Sequence, residues 1–311
     1  RYWRVTRPDG ATLIVMDAPP DKEDIGPYLR SAELLRRLGV HVPAVHAVER
    51  AQGFVLLEDL GTQSYLAALR AGADPDALYA DATAALLRLQ LRGLPHLGEL
   101  APYDAATLDR EMALMAEWYC ERHLRLELTA DEQRLLADTL VWIRDQVLQQ
   151  PRVLVHRDYH SRNLMVLAHG NPGVIDFQDA LAGPVAYDLV SLFKDCYIAW
   201  PRPRVLGWLR DYRRALADAP GGAALAGSDE REFVRWFDIV GLQRHIKVLG
   251  IFARLWYRDG KPGYLADLPR TLSYVRDAAA RCTELQEFAR WIEARLVAGL
   301  AAANARCGVV P

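Results

Sequence analysis

The sequence predicts an α+β protein of two lobes: a small antiparallel β lobe with one helix, then a large, mainly helical lobe. Three observations carry this. Short strand-like runs alternate with turn residues over the first sixty positions, and from Gly61 onward Ala and Leu recur at helical spacing. At 311 residues the chain also exceeds a typical single domain. The expected division is residues 1–60 and 61–311, with a hinge near Asp59-Leu60-Gly61.

Tyr2-Trp3-Arg4-Val5 and Thr12-Leu13-Ile14-Val15-Met16 read as strands of a hairpin turned by Pro8-Asp9-Gly10. A helix follows from Ile25 to Leu38, where Leu29, Leu34, Leu35 and Leu38 make an apolar stripe and Gly39 ends it. Ala44 to Glu49 and Phe54 to Glu58 read as two more strands. Helices are expected over 62–70, 75–92, 104–121 and 130–149, with Pro151 stopping the last. Val153-Leu154-Val155 then runs into His156-Arg157-Asp158, and Leu164 to Leu167 with Val174-Ile175 flank a turn at His169 to Gly173, a second small hairpin. After Pro184 the pattern is helical almost to the end.

Composition narrows the function. Hydrophobic residues make up 51% and charged residues 25%, ordinary for a globular protein, and the formal net charge is −2. Nothing in that balance attracts nucleic acid or an anionic membrane, so neither is an expected partner. No apolar run reaches the roughly 18–20 residues of a membrane span. Cys120, Cys196, Cys282 and Cys307 are far apart with no CxxC pair, which suits free thiols in a reducing cytoplasm better than a zinc cluster or a disulfide framework. Arg1 falls inside a strand-like run, so a preceding stretch is expected.

The chemistry lies in His156-Arg157-Asp158-Tyr159-His160-Ser161-Arg162-Asn163, with Asp176-Phe177 thirteen residues beyond Asn163. Phosphoryl transfer needs an acceptor held in place, its proton removed, and the phosphate charge neutralised. Asp158 sits where the base belongs, while the amide oxygen of Asn163 and the carboxylate of Asp176 are hard oxygen ligands suited to Mg²⁺. The spacing matches the HxDxxxxN catalytic loop and metal-binding aspartate of kinases. Any one of these residues alone reads as an ordinary turn or hairpin-end polar group; together they point to an ATP-dependent kinase.

HRDYHSRN, DFQDA and GPVAYDL resemble the aminoglycoside phosphotransferase superfamily, and the resemblance implies a protein-kinase-like fold. DFQDALAGPVAYDLVSLFKDCY and GLQRHIKVLGIFARL, with LIVMDAPPDKED and VLLEDLG, are similar to bacterial anomeric kinases of N-acetylmuramate and N-acetylglucosamine. That likeness implies ATP and Mg²⁺ as cofactors, an amino sugar phosphorylated at O1, and a cytoplasmic place in cell-wall recycling toward UDP-sugar synthesis. By motif, Asp158 is the base, Asn163 and Asp176 hold magnesium, Glu33 pairs with a phosphate-binding lysine, Glu58 to Leu60 meet the adenine, and Asp188 steadies the catalytic loop.

Two departures stand out. The strand position of that lysine reads Val15-Met16-Asp17, so Lys22 or Arg4 substitutes for it or is plain surface. The loop that covers the phosphates is expected ahead of Arg1. On the acceptor side, Asp179 and Asp195 read either as sugar-hydroxyl contacts or as a helix cap and an intrahelical pair. Arg244 and Lys247, beside Gln243, read either as partners of a lactyl carboxylate or as a charged outer helix face. His245 reads as a core histidine. An aminoglycoside or choline acceptor, or a pseudokinase lacking the strand lysine, are the competing readings.

Overall fold

Strand β1 (Tyr2–Thr6) pairs antiparallel with β2 (Thr12–Asp17) across the Pro8-Asp9-Gly10 turn, where Gly10 takes φ +85° and Asp9 accepts a hydrogen bond from the Ala11 amide at 3.0 Å. Helix α1 (Gly26–Arg37) follows and buries Tyr28, Ala32, Leu34 and Leu35, leaving Glu33 and Arg36 outside. Strands β3 (Val45–Glu49) and β4 (Phe54–Glu58) complete a four-stranded sheet in the order β1-β2-β4-β3. The turn into β4 accepts glycine alone. Gly53 has φ +77°, and a Cβ there would lie 1.9 Å from the Ala18 carbonyl oxygen.

Two helices come next. Ser64 caps α2 (Tyr65–Arg70), and Asp74 caps α3 (Pro75–Gly93), each side chain accepting from a first-turn amide. Further along, β5 (Arg152–Val155) leads to the short hairpin of β6 (Leu164–Met165) and β7 (Gly173–Val174), and β8 (Leu181–Pro184) ends the stretch. The computed structural model describes residues 1–309 and resolves two compact units. The first comprises residues 1–101, 153–182 and 214–223; the second comprises 102–152, 183–213 and the chain from 224 onward. The first unit thus extends past residue 60, because the β6–β7 hairpin and α2 are tied together: the Leu66 amide donates to the Ser161 carbonyl at 2.9 Å and the Val166 amide to Gln63 at 2.8 Å.

The second unit is helical. Helix α4 (Ala105–Leu114) runs on into a π-helical stretch over Met115–His123, and α5 (Ala130–Leu148) begins with a reciprocal cap between Thr129 and Glu132. Then come α6 (Tyr187–Phe193), α7 (Arg202–Asp218), α8 (Glu230–Tyr257), α9 (Leu268–Arg281), α10 (Gln286–Trp291) and α11 (Ala298–Arg306). No described helix is long and apolar enough to cross a membrane. The 28-residue α8 is the axis, packed by α4, α5, α6 and α9. It passes α4 so closely that a Cβ on Gly250 would lie 2.4 Å from the Leu114 backbone. Replacing Gly250 by Ala should therefore lower unfolding stability by about 1–3 kcal/mol through overpacking, read as an earlier urea midpoint.

Candidate active site

The β6–β7 hairpin is what brings the motif residues together. The Ile175 amide donates to the Asn163 carbonyl at 3.0 Å, so Asn163 and Asp176 flank the same hairpin end. Asn163, nearly buried, donates its side-chain Nδ2 to the Asp158 backbone carbonyl at 3.1 Å and to Asp176 Oδ2 at 3.2 Å. One amide thus ties the expected base and the expected metal ligand. Gln178 adds a bond from Nε2 to Asp176 Oδ1 at 2.9 Å.

His156 locks the two loops from below. It is fully buried, its Nε2 lies 3.1 Å from the Ile175 carbonyl, and its Nδ1 lies 3.3 Å from the Asp158 amide. A carbonyl faces one ring nitrogen and an N–H the other, so the neutral Nε2–H tautomer satisfies both. Tyr159 anchors the loop further, donating from its hydroxyl to the Ala82 carbonyl at 2.9 Å. The backbone is held in left-handed conformations at Arg157 (φ +77°) and Asp176 (φ +65°), and such strain persists only where surrounding contacts over-determine it.

Asn163 and Asp176 line a cavity of about 300 Å³ with Tyr2, Arg4, Ile14, Tyr28, Leu57, Glu58, Asp59 and Leu60. Glu58 is fixed by the His41 ring at 3.3 Å and by the Ala44 amide at 3.1 Å. Arg4 grips Asp59 with two bonds of 2.6 and 3.0 Å and also donates to the Gly61 carbonyl at 3.0 Å. The hydrogen bond from Arg4 holds the Asp59 carboxyl down at about 2. A divalent cation suits the Asp176 end. Asn163 Nδ2 makes both of that side chain's bonds, so its Oδ1 is not committed to either and is an oxygen donor available to a cation. Two protein oxygens fit an ion that takes its remaining ligands from water and phosphate.

Glu58, Leu60, Asn163 and Asp176 therefore meet in one cavity, and Asp158 joins them through Asn163. Glu33 does not. It lies on the outward face of α1, paired with Arg36 at 3.0 Å, because Leu34 and Leu35 claim the buried face. On α8 the geometry speaks against the charged outer face. Lys247 is bonded to Glu111 at 2.9 Å and to the Tyr187 hydroxyl at 3.3 Å, and Arg244 is buried with its Nη1 3.7 Å from Cys196 Sγ. A low-dielectric interior demands such partners for a charge, so neither forms an outer charged face. Asp195 is buried, accepting from the Tyr197 amide at 2.8 Å, and Asp188 is buried too; Asp179 is exposed on the loop three residues past Asp176. Tyr2 and Tyr28 were not anticipated in the cavity. Tyr28 had a signal, since it extends the α1 stripe by one turn from Leu35 and Ala32.

Burial pushes the His156 imidazole down to about 4 from its ordinary 6.5, against the opposing pull of Asp158 and Asp176. The unfolded chain then binds a proton that the folded chain refuses between those values, so stability falls as pH drops from 6.5 toward 4, by about 1.4 kcal/mol per pH unit for this group. His156→Gln, measured by urea unfolding across that window, should show a shallower loss than the wild-type protein.

The phosphotransferase enzyme family matches residues 1–227. The N-acetylmuramate/N-acetylglucosamine kinase of Pseudomonas putida is 45% identical over 299 residues, covering 96% of this chain and 86% of that protein. The enzyme of the same name from Pseudomonas aeruginosa is 47% identical over 290 residues, covering 92% and 82%. Among solved structures, the ADP-bound aminoglycoside phosphotransferase APH(2'')-Ib superposes with a TM-score of 0.54 at 15% identity, covering 88% of this chain and 92% of that one, and so shares the fold. Family match, relatives and fold agree that the chain belongs to the phosphotransferase enzyme family, whose acceptor is an alcohol group.

Proposed function

We propose that this chain transfers the γ-phosphoryl group of ATP to the anomeric hydroxyl of N-acetylmuramate, N-acetylglucosamine, or both, giving the sugar 1-phosphate. The observation that carries the reading is the Asn163 amide bridging Asp158 and Asp176 at the end of a nucleotide-sized cavity. The names of relatives at 45% and 47% identity support the acceptor.

In this mechanism the segment Glu58 to Leu60 receives the adenine, and the phosphates extend toward Asp176. Magnesium, held by Asn163 and Asp176, would neutralise charge on the phosphates. Asp158 accepts the proton of the sugar O1–H as O1 bonds to the γ-phosphorus and the bond to the ADP oxygen breaks in line. His156 and Asn163 hold the Asp158 backbone, so the base keeps its aim without reorganisation. In this reading Asp179, exposed on the loop beyond Asp176, accepts from sugar hydroxyls. ATP as donor fits a cytoplasmic reaction, and a sugar 1-phosphate fits a step before UDP-sugar synthesis in peptidoglycan recycling.

ADP release should require Mg²⁺ and rise on adding N-acetylmuramate or N-acetylglucosamine but not an aminoglycoside or choline; release indifferent to the sugars would overturn the acceptor. Asp158→Asn should cut kcat by about a hundredfold or more while the far-ultraviolet spectrum stays native. Substantial kcat in that folded variant would remove Asp158 from the role of base.

A further inference from the structure

The face of the sheet that meets the cavity carries no lysine. Residues opposite one another in a ladder point to the same side, and the register sets Tyr2 against Met16 and Arg4 against Ile14, with β4 continuing as Val55 and Leu57. Tyr2, Arg4, Ile14 and Leu57 line the cavity, which identifies that side as the nucleotide face. At the expected lysine position stands Met16, buried and apolar.

The charged alternatives are otherwise placed. Arg4, the one cation lining the cavity among the described residues, is held by Asp59 and Gly61 at the end where the hinge segment lies. Lys22 is exposed and outside the lining, and Glu33, the usual partner of such a lysine, pairs with Arg36 instead. Both halves of the expected Lys–Glu pair are therefore missing from the cavity.

Two phenols stand in that space. Tyr28, in the first turn of α1, packs its ring against Phe177, the neighbour of Asp176, at 4.9 Å between centroids. It is only 8% exposed, it lines the cavity, and its hydroxyl has no hydrogen-bond partner among the described residues. The ring is buried while the hydroxyl opens to the cavity with no protein partner, so a ligand seated there meets a donor fixed in place by its ring. Tyr2, on β1, lines the same cavity from its open side and is 63% exposed.

We propose that Tyr28, with Tyr2 beside it, holds the nucleotide phosphates in place of the absent strand lysine, the phenol O–H groups donating to phosphate oxygens next to Asp176. Phenols are neutral donors of fixed reach, so they orient the phosphates while the charge is left to the cation site. The assignment rests on the nucleotide-binding reading of the cavity but not on which sugar is the acceptor.

The test is calorimetric titration of ADP and of adenosine, in Mg²⁺ buffer, into the wild-type protein, Tyr28→Phe and Tyr2→Phe. Each variant keeps the ring and its packing. Tyr28→Phe should weaken ADP about tenfold and leave adenosine unchanged, because only the phosphates meet the hydroxyl. The KM for ATP should rise with kcat little altered, and Tyr2→Phe should move ADP affinity in the same direction. Wild-type ADP affinity in Tyr28→Phe, or an equal loss for ADP and adenosine, would overturn the tyrosine assignment alone. A wild-type protein that binds no ADP would overturn the nucleotide cavity and this assignment together.

Discussion

A single neutral imidazole holds the reactive loops in register. His156 offers a donor to the Ile175 carbonyl and an acceptor to the Asp158 amide, and it does so fully buried. Both contacts need the uncharged ring, and burial keeps it uncharged. Asn163 repeats the design one layer outward, with one amide bonded to Asp158 and to Asp176. The strained φ values at Arg157 and Asp176 are sustained by this double fastening.

Charge is distributed unevenly around the cavity. Glu58, Asp59 and Asp176 face a single cation, Arg4, and that cation is bound to Asp59. Arg4 and Asp59 join β1 to the segment after β4, which makes the ion pair a structural fastening of the sheet to Gly61. Away from that pair the cavity is lined by the phenols of Tyr2 and Tyr28 and by apolar groups such as Ile14 and Leu57, with Asn163 and Asp176 as its polar end.

The helical unit keeps its charges inside by pairing them. Asp238 of α8 receives Lys194 at 3.2 Å and Arg202 in a bidentate grip of 2.9 and 2.6 Å, and Arg281 approaches to 3.8 Å. One carboxylate thereby ties α8 to the start of α7, the end of α9 and the residue after α6. Burial would raise the Asp238 pKa, yet Arg202 and Lys194 hold it below its ordinary value. Removing one partner of such a group leaves an uncompensated charge, which is the larger cost.

The sequence by itself determined the lobe-like alternation, the first hairpin, α1, the β6–β7 hairpin and the spacing of Asp158, Asn163 and Asp176. These are legible because turn chemistry, helical stripes and loop spacing act within a few residues. Only the tertiary structure decided which way side chains on those elements face. Glu33 turns outward because Leu34 and Leu35 take the core; Tyr28, one turn earlier on the same stripe, reaches the cavity instead of pure core. Lys247 is drawn inside by Glu111, 136 positions earlier in the chain, and no local pattern encodes that partner. That β2 carries no lysine was visible in the sequence, but that Tyr2 and Tyr28 line one cavity was not, because β1 and α1 meet there only once the chain has folded.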